Sequence, residues 1–156
     1  MKPLKFSLIS TIIISLSLAT AAYAAAQHKM AKTINLAGKQ RMLTQKMSKE
    51  ILLIAKGIKV KENKKNLKNT RALFNRMLKG LLHGDAGLGL VKTKNPAIVK
   101  QLKKVERLWG NFKKSIKAVL AGNTSKDVLK KVEKQNLLLL KEMNKAVKQY
   151  GATRLA

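Results

Sequence analysis

A chain of 156 residues accommodates one domain, or one domain with a targeting segment, because a single core is efficient at this size. Cysteine is absent, which excludes disulfides, iron–sulfur clusters, thiol catalysis and c-type haem attachment, so stability must come from packing. The 34 Lys and Arg against 7 Asp and Glu give a net charge of +27, a balance that favours anionic partners, although 29 of the 34 are lysines scattered along the whole chain. That scatter suits a solvated lysine coat as well as a dedicated polyanion-binding surface.

The first element in chain order is a leader. Lys2 and Lys5 form a basic start, Phe6 to Leu18 is apolar with interspersed Ser and Thr, and Ala22-Tyr23-Ala24 offers small residues at the two positions that direct cleavage. The expectation is a secretory signal over residues 1–24, cleaved near Ala24, and a periplasmic domain over 25–156. The same run extended to Ala26 would just reach membrane-spanning length, which leaves an uncleaved anchor as the alternative.

Four stretches of helical periodicity follow, so the expected fold is all-α: an antiparallel up-down four-helix bundle with a long first helix. The first helix is expected from Gln27 to Val60, about 34 residues and about 50 Å long. It carries two stripes. Leu36, Leu43, Met47 and Ile54 form one; Met30, Ile34, Ala37, Arg41, Thr44, Ser48, Ile51, Ala55 and Ile58 form the other, roughly 110° away at 100° per residue. A helix with two packing faces sits between its own bundle and a partner, so Ile34, Ala37, Arg41, Thr44 and Ser48 are the expected homodimer interface. His28 is expected exposed near the start of this helix, and Lys32, Lys39 and Lys46 recur every seven residues on the side away from both stripes.

The second helix, Asn63 to His83, presents Leu67, Phe74, Met77, Leu78 and Leu81, with His83 complementing the dipole at its end. A glycine-rich break, Gly84 to Gly89, reads as a turn. Asn95-Pro96 caps and opens the third helix, whose seam is Ile98, Leu102, Val105, Trp109, Phe112, Ile116 and Val119. Trp109 and Phe112 fit that seam as packing anchors. Gly122 and Asn123 stop it. Thr124 or Ser125 caps the fourth helix, with Leu129, Val132, Asn136, Leu139, Met143, Ala146 and Tyr150 inward and Asn136 as a polar residue that fixes register.

Arg41 carries the functional argument. A guanidinium on a packed stripe with none of the seven acids beside it requires a counter-charge, and a small external anion, a carboxylate or an oxyanion, supplies one. Two copies of Arg41 across a twofold axis would repel unless an anion lay between them, which couples binding to dimer geometry. Gln45, Thr44 and Ser48 flank it as candidate ligand-binding residues. The alternative is a surface arginine whose stem lies along the helix. No catalytic carboxylate pair, Glu-x-x-His motif or phosphate loop is present, so no enzyme is expected. No cofactor is expected either, and two distant histidines make no metal site. No base-reading motif is present, so no specific nucleic acid is expected.

The segment from Ile34 to Met47, Ile-Asn-Leu-Ala-Gly-Lys-Gln-Arg-Met-Leu-Thr-Gln-Lys-Met, resembles the first-helix motif of the PilJ-type N-terminal sensory domain family of type IV pilus chemoreceptors. More distantly it resembles the periplasmic domain of nitrate/nitrite sensor kinases of the NarX kind. Leu81-Leu82-His83-Gly84, Val105 to Trp109 with Phe112, and Asn136 to Val147 extend the likeness over the mature chain. The resemblance implies a four-helix sensory bundle that dimerises through helix one and binds an anion at the position of Arg41. Lys39 and Lys46 stand where family members often have arginine, which keeps charge but removes the bidentate fork. It further implies a membrane chemoreceptor or sensor kinase as partner. An adaptor that pairs with a receptor or pilus-linked protein without a small ligand, and a polyanion-binding envelope protein, are the competing functions.

Overall fold

The computed structural model describes the backbone of residues 6–155 and the side chains of residues 23–153. The expected leader, with Lys2 and Lys5, falls almost entirely outside the described side chains. Four helices make up the fold: α1, Phe6–Ala55; α2, Val60–His83; α3, Pro96–Leu120; and α4, Lys126–Leu155, with a single 3-10 turn at Ala86–Leu88 in the longest connection. Among the described residues the only strand-like pairing is one isolated bridge between Asp85 and Leu90, and no helix there is long and apolar enough to cross a membrane.

Each helix ends where backbone chemistry dictates. α1 stops at Ala55, five residues before the periodicity in its sequence runs out, because Gly57 takes a left-handed conformation at φ 75°. There Gly57 N–H donates to Ile54 O and Ile58 N–H to Leu53 O, the paired bonds that satisfy a helix's last carbonyls. Ile58 therefore leaves the first-helix stripe and lies exposed before α2, which starts at Val60 rather than Asn63. Gly122 and Asn123 close α3 in the same way, through bonds to Val119 and Ala118. Asn95 Oδ1 accepts from the Ala97 and Ile98 N–H groups, with Pro96 opening α3 where a missing N–H costs nothing.

The core follows the seams expected for α2, α3 and α4. Leu67, Phe74, Met77, Leu78 and Leu81 meet Leu102, Val105, Trp109, Phe112 and Ile116, and α4 adds Val132, Leu139, Met143, Ala146 and Tyr150, all buried. Phe74 and Trp109 stack at 4.3 Å between centroids, and the indole N–H donates to Asn75 Oδ1 at 3.0 Å, so this large side chain leaves no polar atom unanswered.

α1 differs from the two-face expectation. Its buried residues are Leu43, Met47 and Ile54 from one stripe, Ala37, Thr44 and Ile51 from the other, and Gln40 and Glu50 from neither. The physical reason is that α1 is wedged between two neighbours, α2 and α4, so its inward arc is broad enough to take in most of one stripe and part of the other. Ala37, Thr44 and Ile51 are spent inside the chain's own bundle.

Two buried carboxylates lock pairs of helices together, with opposite effects of environment. Glu142 on α4 accepts from Gln101 Nε2 at 2.8 Å, and Lys104 and Lys145 lie 3.1 and 3.2 Å from its Oε1. Burial raises this carboxyl, but those three hydrogen bonds outweigh it and hold the group at about 2. Glu50 on α1 accepts from Thr70 Oγ1 at 3.0 Å; its Oε2 is buried without a protein partner, and Lys46 stands 4.0 Å off. Here burial prevails and the carboxyl is raised. The glycine-rich connection is pinned by Arg76, which grips Asp85 bidentately at 2.8 and 3.1 Å, while Asp85 Oδ1 also accepts from Leu88 N–H.

Candidate functional site

The motif-bearing turns of α1 run beside α4, and the candidate residues separate there. Arg41 lies on the outer edge of the seam, exposed, with Nη1 donating to Asn144 Oδ1 on α4 at 2.8 Å. Among the described residues no carboxylate reaches its guanidinium. The guanidinium lies near Gly38, one turn earlier, where an added Cβ would sit in ordinary contact, 3.7 Å from Arg41 Nη2. The arginine is therefore neither fully inward, as a packed stripe would require, nor free in solvent.

Thr44 is fully buried, and its Oγ1 donates to Arg41 O at 2.6 Å, a bond within the helix that occupies the hydroxyl proton. Gln45 is exposed at the seam and its Oε1 accepts a long 3.5 Å bond from Asn136 Nδ2. Ser48 is half-buried, with its Oγ shielded and lacking a protein partner. Ile34 is half-buried and Ala37 fully so. Of the five expected interface residues, Ile34, Arg41 and Ser48 keep exposed surface, whereas Ala37 and Thr44 face inward.

Arg41, Gln45, Ser48 and Leu52 thus share one outer edge of α1 at helical spacing, with Leu52 54% exposed. Across the seam, Leu137, Leu140, Lys141, Asn144, Lys145 and Lys148 line a shallow depression of about 330 Å³ on α4, in which Leu137 is 57% exposed. Three ammonium groups on this face and one guanidinium beside it make the surface electropositive, and Glu142 engages only Lys145 of the four. Such a surface favours anions electrostatically.

Asn144 and Asn136 were not legible as partners of the motif. Asn144 stands 103 residues from Arg41, and only the antiparallel docking of α4 on α1 brings them together. Lys32, Lys39 and Lys46 are exposed as expected, and His28 and His83 lie on the surface. Among the described residues no group of three His, Asp or Glu side chains could hold a metal.

A helical bundle whose first helix bears an arginine-centred motif at a basic edge has the architecture of a sensory ligand-binding domain. The comparisons bear this out: the chain belongs to the PilJ family, described as the N-terminal domain of type IV pili methyl-accepting chemotaxis transducers, which it matches over residues 23–135. It is 32% identical over 121 residues to the methyl-accepting chemotaxis protein McpN of Pseudomonas aeruginosa. That alignment covers 78% of this chain and 22% of McpN, so the chain spans about a fifth of its relative. The solved ligand-binding domain of the Pseudomonas aeruginosa nitrate receptor McpN superposes with a TM-score of 0.69 at 32% identity, covering 78% of this chain and 95% of that domain. This chain is accordingly a chemoreceptor-type sensory domain with the four-helix fold.

Proposed function

We propose that the chain is a periplasmic ligand-binding domain that captures a small oxyanion of the nitrate type at Arg41, between the first helices of two copies, and acts with a membrane chemoreceptor or sensor kinase. The observation that carries this reading is the placement of Arg41: an exposed guanidinium anchored by a neutral asparagine, with no acid in reach, on a helix edge shared with Gln45, Ser48 and Leu52. A neutral anchor fixes the fork without cancelling its charge. The ligand-binding domain of a nitrate receptor as structural neighbour supports the choice of anion. Two such edges facing each other would place like charges together, so the anion and the dimer are expected to stabilise one another.

Calorimetric titration with nitrate, nitrite and acetate, run beside sedimentation of the same samples, tests this. One anion bound per two chains and a dimer strengthened by the anion are the expected results. Arg41→Ala abolishes the heat, and Arg41→Lys, which keeps the charge but loses the fork, weakens it at least tenfold. Absence of heat with every anion, or equal heat from both variants, rejects the reading. The exposed Met42, Leu52 and Leu137 favour a second reading, an adaptor surface that pairs with a receptor without a small ligand. Crosslinking from Gln45 in cells separates the two: capture of a receptor by a chain that binds no anion supports the adaptor.

A further inference from the structure

A second cavity, remote from Arg41, lies at the opposite end of the bundle from Gly57 and has a composition of its own. It holds about 460 Å³ between the middle turns of α1, Ala26 to Thr33, the connection from α2 to α3, and the last turns of α4. That volume falls within the roughly 300–1,000 Å³ of small-molecule sites. Ala26, Met30, Val91 and Ile98 make its walls apolar, and Ile98 and Tyr150 in its floor are almost completely buried.

The polar groups divide sharply. Every hydroxyl on the lining directs its proton into the protein: Thr33 Oγ1 to Lys29 O, Thr153 Oγ1 to Tyr150 O, and Thr93 Oγ1 to Leu81 O. Because the Thr93 proton is committed to Leu81, the Tyr150 hydroxyl is the donor in the bond between those two side chains. Asn95 Oδ1 is occupied in capping α3. Among the described residues, the charged groups lining the cavity are Lys29, Lys92 and Lys94, all exposed, and no carboxylate lines it. Beyond the three ammonium groups and the Asn95 side-chain NH2, the described walls leave no hydroxyl proton free for a neutral polar ligand. A molecule with an apolar body and one anionic head finds both halves answered.

We infer that this cavity is a second ligand site, taking an amphipathic monocarboxylate, aromatic or medium-chain, with its body between Met30 and Ile98 and its head among Lys29, Lys92 and Lys94. The site lies on residues distinct from the Arg41 edge, so it does not rest on the reading of that edge. Its walls come from both terminal helices and the longest connection, so a bound acid ties together the three segments that meet at this pole.

The test is titration of the full chain with octanoate and, as its uncharged counterpart, 1-octanol, followed by calorimetry. Octanoate binds saturably at one per chain, and at least tenfold more tightly than octanol. The triple substitution Lys29→Gln, Lys92→Gln, Lys94→Gln weakens octanoate at least tenfold and leaves octanol unchanged. Thr33→Trp, which fills the cavity from α1, removes both, while its circular dichroism stays that of the parent. Arg41→Ala changes neither, which separates this site from the anion edge. Octanoate bound no better than octanol, retention of octanoate by a folded Thr33→Trp chain, as a lysine coat alone would give, or loss of octanoate in Arg41→Ala each overturns the assignment.

Discussion

Replacing Glu142 by glutamine removes a charge but keeps a hydrogen-bonding side chain of the same shape, and the structure sets the size of the effect. The carboxyl sits at about 2 against an ordinary 4.5. At about 1.4 kcal/mol per pH unit, that gap sets a ceiling of roughly 3.5 kcal/mol on the ionised form's contribution to stability. Its partners Lys104 and Lys145 are 46% and 50% exposed, so solvent screens their share and about 1–2 kcal/mol is the expected loss at pH 7. The folded carboxyl is depressed, so the contribution is complete above about pH 4.5 and is lost as the pH falls towards 2. Urea denaturation of parent and Glu142→Gln at pH 7, 4 and 2 measures the difference directly, since all other titrations are common to both. The gap should narrow steadily and nearly close at pH 2. A gap that is constant across that range would mean that shape, not charge, holds α3 to α4, and would refute the argument.

Glu50 predicts the opposite trend. Its carboxyl is raised by burial, so protonation favours the fold and stability is lost as the pH rises through the raised value; Glu50→Gln should match or exceed the parent at pH 7 and lose that advantage near pH 4, again by urea denaturation. Asn144→Ala frees the guanidinium of Arg41 and should weaken nitrate binding about three- to tenfold by calorimetry without lowering the melting temperature by more than a few degrees. Gly57→Ala forces a Cβ into left-handed backbone although nothing lies within 4 Å of it, so its cost is conformational only, about 1 kcal/mol in thermal or urea unfolding.

Three of the four helices could be read from spacing because each presents one apolar seam bounded by a chemical stop. Gly122, Asn95 and Pro96 punctuate α3 in the sequence as they do in space. α1 was harder for two reasons. Its apolar periodicity continues past Gly57 to Ile58 and Val60, so the pattern outran the backbone, which turns at the glycine. Its neighbours on two sides also bury a wide arc, and two stripes about 110° apart merge into one surface under those conditions. Thr44 looked like part of a polar interface and is an interior residue; Arg41, two positions beyond Lys39, falls just outside the buried arc. The links from Arg41 to Asn144, from Arg76 to Asp85 and from Glu142 to Gln101 and Lys104 depend on docking of separate helices, which periodicity does not encode.

The bond between Arg41 and Asn144 joins the first and last helices, and further along the same pair Met30 and Tyr150 line one cavity. That strut is one exposed hydrogen bond beside a packed core that includes Met47, Leu139 and Met143, so it aims the guanidinium rather than fastening α1 to α4.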